Sequence, residues 1–127
     1  GLAFSPDEKF LYIADTGASH LKNGPKHIRK LPVKPDGKSL GAGSIFAECT
    51  AGMFDGFRFD EAGRIWTSAA DGVHCYDPDG TLIGKLIIPE LVANVCFGAA
   101  KLNRLFIAGT TSLYSCYLAV RGVSPLG

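Results

Sequence analysis

The chain has 127 residues, 46% hydrophobic and 20% charged, with 16 glycines and 7 prolines. This is the composition of an ordinary globular domain with a core, and it excludes a disordered chain. A formal net charge of +1 gives no overall field to hold nucleic acid or an anionic membrane surface, so neither partner is expected.

In chain order, a first unit predicts strands at Leu2–Ser5, Phe10–Ala14, His27–Val33 and Ser44–Cys49. Two insertions interrupt it, Gly17 to Lys26 and Pro35 to Gly43, and insertions in repeats map to surface loops. A second unit predicts strands at Phe57–Phe59, Ile65–Ser68, Val73–Tyr76 and Leu82–Ile88. The last of these is broken by Gly84 and Lys85 and falls far short of the roughly 20 apolar residues of a membrane helix, so no membrane partner follows from it. A third unit has Val95–Phe97, Leu105–Ala108 and Ser112–Val120, with its fourth strand missing or supplied from elsewhere.

Apolar residues scarcely recur at helical spacing, so helix should be nearly absent. Pro35-Asp36-Gly37 and Pro78-Asp79-Gly80 are turns between antiparallel strands, because Pro presets φ early in the turn and Gly accepts a positive φ later.

The units repeat one plan of apolar strand, turn and apolar strand. Gly1-Leu2-Ala3-Phe4 with Leu11-Tyr12-Ile13-Ala14 lines up with Gly56-Phe57-Arg58-Phe59 and Ile65-Trp66-Thr67-Ser68, and with Asn94-Val95-Cys96-Phe97 and Leu105-Phe106-Ile107-Ala108. Repeats spaced roughly 40 to 55 residues apart signal units that cover their apolar faces only by stacking. Four-stranded antiparallel units of this kind are propeller blades. The fold class is therefore all-β, about three consecutive blades at 1–52, 53–91 and 92–122 with a tail at 123–127.

Cys49, Cys75, Cys96 and Cys116 form no C-x-x-C pair and have no histidine at metal-finger spacing. Cys75, Cys96 and Cys116 fall in strand-like runs and are expected to be buried thiols, which inclines the otherwise open localisation towards a reduced compartment such as the cytoplasm. Lys22, Lys26, Arg29, Lys30, Lys34 and Lys38 make the first unit basic, and read as a solvated face because no aromatic interleaving accompanies them. An isolated Gly41-x-Gly43 lacks the rest of a dinucleotide fingerprint.

Alignment of the units puts Asp55 immediately before an inner strand, at the mouth of a central channel, with Ala93 matching it in the third unit and Asn94 beside. A carboxylate there can meet ligands from other blades around a hard cation, while Asp55-Gly56 can equally be a plain turn pair. Asn94 is a candidate to hydrogen-bond a substrate hydroxyl or to cap a strand end. Asp15, in Asp15-Thr16-Gly17, orients the pocket wall or stabilises its turn. His20 is a candidate lid residue for substrate in the first insertion, or an exposed loop histidine. Trp66, His27 and His74 read as strand residues, Trp66 as core.

Gly1-Leu2-Ala3-Phe4-Ser5-Pro6-Asp7, Leu11-Tyr12-Ile13-Ala14-Asp15-Thr16, Asp55-Gly56, Trp66, Gly72-Val73, Tyr76-Asp77-Pro78-Asp79-Gly80, and Asn94 with Phe97-Gly98 together resemble the C-terminal half of the SMP-30/gluconolactonase family. The resemblance implies a six-bladed propeller whose centre holds one divalent metal ion and whose members include metal-dependent lactone hydrolases. It implies metal ligands from a glutamate of an early blade, an asparagine directly before the Gly1-Leu2-Ala3-Phe4 strand, and the aspartate of the Asp-Gly pair, of which Asp55 alone has a counterpart here. Phe54 stands where a proline often precedes that aspartate.

On this resemblance Asp55 is both metal ligand and catalytic base, Asn94 and His20 are substrate-binding candidates, and the substrate is a small sugar-type lactone. The metal is calcium, zinc, magnesium or manganese, since an oxygen-rich site accepts any of them. The alternative is a non-catalytic propeller scaffold for ligand or protein binding, because fold does not fix function. The chain alone is expected to be nearly inactive and to self-associate through uncovered blade faces.

Overall fold

A computed structural model of the chain describes residues 1–124. Eleven strands form three antiparallel sheets. The first contains β1 (Leu2–Phe4), β2 (Phe10–Asp15), β3 (His27–Pro32) and β4 (Ser44–Glu48) in chain order. The second contains β5 (Phe57–Phe59), β6 (Ile65–Ala69), β7 (Gly72–Tyr76) and β8 (Leu82–Ile87), again in order. The third contains β9 (Val92–Gly98), β10 (Arg104–Gly109) and β11 (Leu113–Tyr117). Among the described residues the helical content is one short 3-10 turn, Gly17–Ser19.

The internal repeat is visible in the ladders. The Ala14 amide donates to the Gly1 carbonyl at 2.9 Å, and the Ser68 amide donates to the Gly56 carbonyl at 2.9 Å, so the two inner strands enter their sheets identically. In the third sheet Ala108 pairs with Asn94, which puts Asn94 at the level of Gly56 and Ala93 at that of Asp55. β9 begins at Val92, earlier than the apolar run Val95–Phe97 suggests, because a bulge after Ala108 lets Gly109 pair with Val92. β11 ends at Tyr117, short of Val120; past it the Leu118 amide still donates to the Asn103 carbonyl at 2.8 Å, in register with the Arg104–Tyr117 pair.

Two apolar layers hold the sheets together. Between the first and second sheets lie Tyr12, Ile28, Phe54, Phe57, Phe59, Ile65 and Tyr76, all buried. The Tyr12 ring meets Phe59 edge-on at 5.0 Å and Phe46 at 5.1 Å, the arrangement that aromatic quadrupoles favour. Between the second and third sheets, Val73, Val92, Val95, Leu105 and Ile107 pack with Trp66 and Phe97. Each fully buried Val, Leu, Ile or Phe contributes about 1.5–3 kcal/mol.

Trp66 joins this second layer as expected of a core residue, with its indole Nε1 donating to Asp60 Oδ2 at 3.0 Å. Asp60 is fully buried at the β5–β6 turn, where its Oδ1 also accepts the Ala62 and Arg64 amides at 3.0 Å each. The Pro78 turn closes as the sequence predicts: Gly80 has φ +89° and donates to the Asp77 carbonyl at 2.9 Å.

Cys75 is buried and Cys116 half-buried, but Cys96 is exposed, contrary to expectation. Strand alternation explains it: Val95 and Phe97 face the second sheet, so Cys96 points to the opposite, open side of β9. Beyond β11 the chain returns to the second sheet, where Gly122 bridges Asp60 and the Val123 amide donates to the Phe59 carbonyl at 3.1 Å. Of the expected tail 123–127, residues 125–127 lie outside the described residues.

Candidate functional site

Asp55 stands at the entry to β5, where segments from all three sheets converge. Its cleft, about 280 Å³, is lined by Thr16 and Ser19 of the β2–β3 loop, by Gly52, Met53 and Phe54 leading into β5, and by Leu91 and Val92 at the start of β9. The residue is exposed, while Phe54 and Gly56 on either side are buried. Buried neighbours fix the main chain and leave the carboxylate as the part that reaches solvent. No hydrogen bond or ion pair engages that carboxylate among the described residues.

The main chain around it is tightly held. The Asp55 amide donates to Ser68 Oγ at 3.1 Å, the Ser68 hydroxyl donates to the Ala93 carbonyl at 3.3 Å, and the Gly56 amide donates to the same carbonyl at 3.0 Å. Gly1 and Asn94 crowd this point from either side. A side chain on Gly1 would overlap the Asp55 carbonyl, and one on Gly56 would overlap Asn94 Oδ1. The three inner strands therefore start from one compact ring of backbone.

The structure brings Asn94 to this ring but faces it towards the third sheet's open side, where it lines a hollow with Cys96, Phe106 and Leu113. Its Oδ1 accepts the Val95 amide at 2.9 Å, the strand-capping role that the sequence left open. His20 lies in a different hollow, about 400 Å³, on the open face of the first sheet with Ile13, Asp15, Arg29 and Leu31; Thr16 borders both this hollow and the Asp55 cleft. Asp15 stabilises its own turn, Oδ1 accepting the Gly17 amide at 3.2 Å, and its Oδ2 lies 3.9 Å from His27 Nε2. In the basic segment, Lys30 caps the ring of Phe10 at 4.1 Å, an aromatic contact within the sheet itself.

Sequence reasoning missed Thr16, Ser19 and Ser68. Ser68 carried a signal, a hydroxyl side by side with Thr67 inside an otherwise apolar strand, and both are fully buried. A second polar pair went unread at the same end of the second sheet. His74 is fully buried, its Nε2 is 2.6 Å from Asp71 Oδ1, and Lys85 Nζ reaches Asp71 Oδ2 at 3.0 Å. Burial pushes the Asp71 carboxyl up, but hydrogen bonds from His74 and Lys85 outweigh it and hold the group below its ordinary value.

Among the described residues no group of three or more His, Cys, Asp or Glu could hold a metal ion. The Asp55 carboxylate nonetheless suits a hard divalent cation as one ligand, being an unpaired oxygen donor at the mouth of a cleft.

Three stacked antiparallel sheets whose inner strands converge on one mouth are blades of a β-propeller, matching part of six-bladed structures. Residues 1–111 match the SMP-30/Gluconolactonase/LRE-like region, and the chain belongs to that family. It is 33% identical over 117 residues to a 6-deoxy-6-sulfogluconolactonase of Pseudomonas putida, covering 87% of this chain and 37% of that protein. A pentonolactonase of Haloferax volcanii is 30% identical over 112 residues, covering 84% of this chain and 36% of its own. The chain thus spans little more than a third of the length of these relatives.

The solved structure of a gluconolactonase from Xanthomonas campestris superposes with a TM-score of 0.79 at 33% identity, covering 96% of this chain and 37% of that one. A calcium-binding regucalcin from Agrobacterium tumefaciens, 20% identical, shares the fold with a TM-score of 0.76, covering 98% of this chain and 46% of its own.

Proposed function

We propose that the protein carrying this chain hydrolyses a sugar-type lactone with one divalent metal ion, and that this chain contributes Asp55 as metal ligand and general base. The observation that carries the reading is the unpaired Asp55 carboxylate at the mouth of the cleft where loops of three sheets meet. The lactonases among its relatives support the substrate class.

A lactone carbonyl is a weak electrophile, and a bound divalent cation supplies Lewis-acid polarisation of its oxygen. Asp55 accepts a proton from the attacking water, whose oxygen adds to the carbonyl carbon; the ring C–O bond then breaks, and the alkoxide takes up the proton held by Asp55, which leaves the hydroxy acid and the ionised carboxylate. The fixed main chain on both sides of Asp55 holds the carboxylate in place for this transfer. Thr16 and Ser19 border the cleft with hydroxyls suited to a polyhydroxylated ring. Asn94, beside Gly56 at the level of the cleft, and His20 in the adjoining hollow are the further substrate contacts proposed.

The test is hydrolysis of a panel of aldonolactones by the native protein before and after chelation. Activity that disappears with chelator and returns with calcium, magnesium, manganese or zinc supports the reading. Chelator-resistant turnover, or no turnover of any lactone, contradicts it.

A further inference from the structure

We infer that Ser68 is a positioning residue for Asp55, tying the Asp55 main chain to the first residues of β9; the inference rests on the Asp55 reading above. Ser68 is fully buried in β6, so its hydroxyl touches neither solvent nor substrate. It accepts the Asp55 amide at 3.1 Å and donates to the Ala93 carbonyl at 3.3 Å. That carbonyl also accepts the Gly56 amide at 3.0 Å, while the Gly56 carbonyl accepts the Ser68 amide at 2.9 Å. The peptides on both sides of the Asp55 Cα are therefore held, and the direction of its Cα–Cβ bond is set by one hydroxyl and one carbonyl from another sheet.

The repeat shows that the blade itself does not need this hydroxyl. The ladder-equivalent positions are Ala14 in the first sheet and Ala108 in the third, and both sheets form the same strand pair without it. Only the position behind Asp55 carries an oxygen. A lone carboxylate that must meet ligands from other segments has to be aimed from its own backbone, and outer groups that orient a ligand typically tune metal affinity or activity by about 10–100-fold.

The experiment is titration of the native protein with Mn²⁺, followed by the electron paramagnetic resonance of the free ion, together with steady-state lactone hydrolysis. Ser68→Ala and Ser68→Cys, the second filling the space with a weaker hydrogen-bonding group, are compared with Asp55→Ala. We expect both Ser68 variants to bind Mn²⁺ about tenfold more weakly and to lose kcat with little change in KM. Wild-type Mn²⁺ affinity and kcat in the Ser68 variants, alongside loss of the ion in Asp55→Ala, would overturn the inference and leave the Asp55 reading standing. Mn²⁺ retained by Asp55→Ala would overturn both. If Ser68→Ala does not fold, Ser68→Cys decides by the same two criteria.

Discussion

Gly56 lies flush against Asn94: a Cβ on Gly56 would overlap Asn94 Oδ1 and stand 3.0 Å from the Asn94 α-carbon. The Gly56 main chain here meets both the side chain and the α-carbon of Asn94, beside the hydrogen bond from the Gly56 amide to the Ala93 carbonyl. Gly56→Ala must displace the Asn94 side chain and crowd its α-carbon, and overpacking of this kind costs about 1–3 kcal/mol. Thermal melts should show this loss, with Asn94→Gly in the same chain restoring only part of it because the crowding against the main chain at position 94 remains. A Gly56→Ala protein that melts with the wild type would contradict the packing described.

Acid should loosen the turn between β6 and β7 through Asp71. Its folded pKa lies below the ordinary 3.8, so the bonds from His74 and Lys85 contribute stability that is fully present above that value. The contribution is lost as pH falls below 3.8 towards the lowered folded value. Asp71→Asn keeps an acceptor for His74 but removes the titration, so its stability should fall less steeply across this acid window. Parallel acid limbs for the two proteins, measured by denaturant melts, would show that Asp71 does not couple to folding.

The two outer faces of the stack predict association of residues 1–127 produced alone. Leu2, Phe4 and Ile45 are 64%, 51% and 53% exposed at one end, and Leu113 and Tyr117 are 72% and 67% exposed at the other. Uncovered sheet faces and an unpaired outer strand promote self-association. Light scattering should show oligomers that grow with concentration. Cys96, on the third sheet's open face, should react with a thiol reagent in dilute solution and become protected as concentration rises. Cys75, its thiol pushed up to about 12 by burial, should stay unreactive throughout. A monodisperse monomer with a cooperative melt would contradict this.

The strands were legible because they are short apolar runs between glycine and proline turns, and the ladders place nearly all of them within a residue or two of the sequence reading. The level of Asp55 just before an inner strand was legible because the repeat aligns it with Ala93, and the pairing of Ala108 with Asn94 agrees with that alignment. What could not be read was which face each strand turns to its neighbour. Cys96 looked like core because its strand is apolar, yet alternation put it outside. The surroundings of Asp55 escaped notice because Ser68 and Ala93 approach it from 13 residues away and, relative to Ser68, a further 25 along the chain. Hydrogen bonds between blades leave no periodic trace. His20, close to Asp15 in sequence, proved to share a hollow with it and not with Asp55.

Asp55→Asn in the native protein at saturating divalent metal tests whether Asp55 serves as base and metal ligand in lactone hydrolysis. The substitution preserves the size of an exposed side chain and the main-chain bond to Ser68, so the fold should be unaffected. Removing the base should lower kcat by about 10²-fold or more at unchanged thermal stability. Wild-type turnover by Asp55→Asn under those conditions would show that Asp55 is not the base.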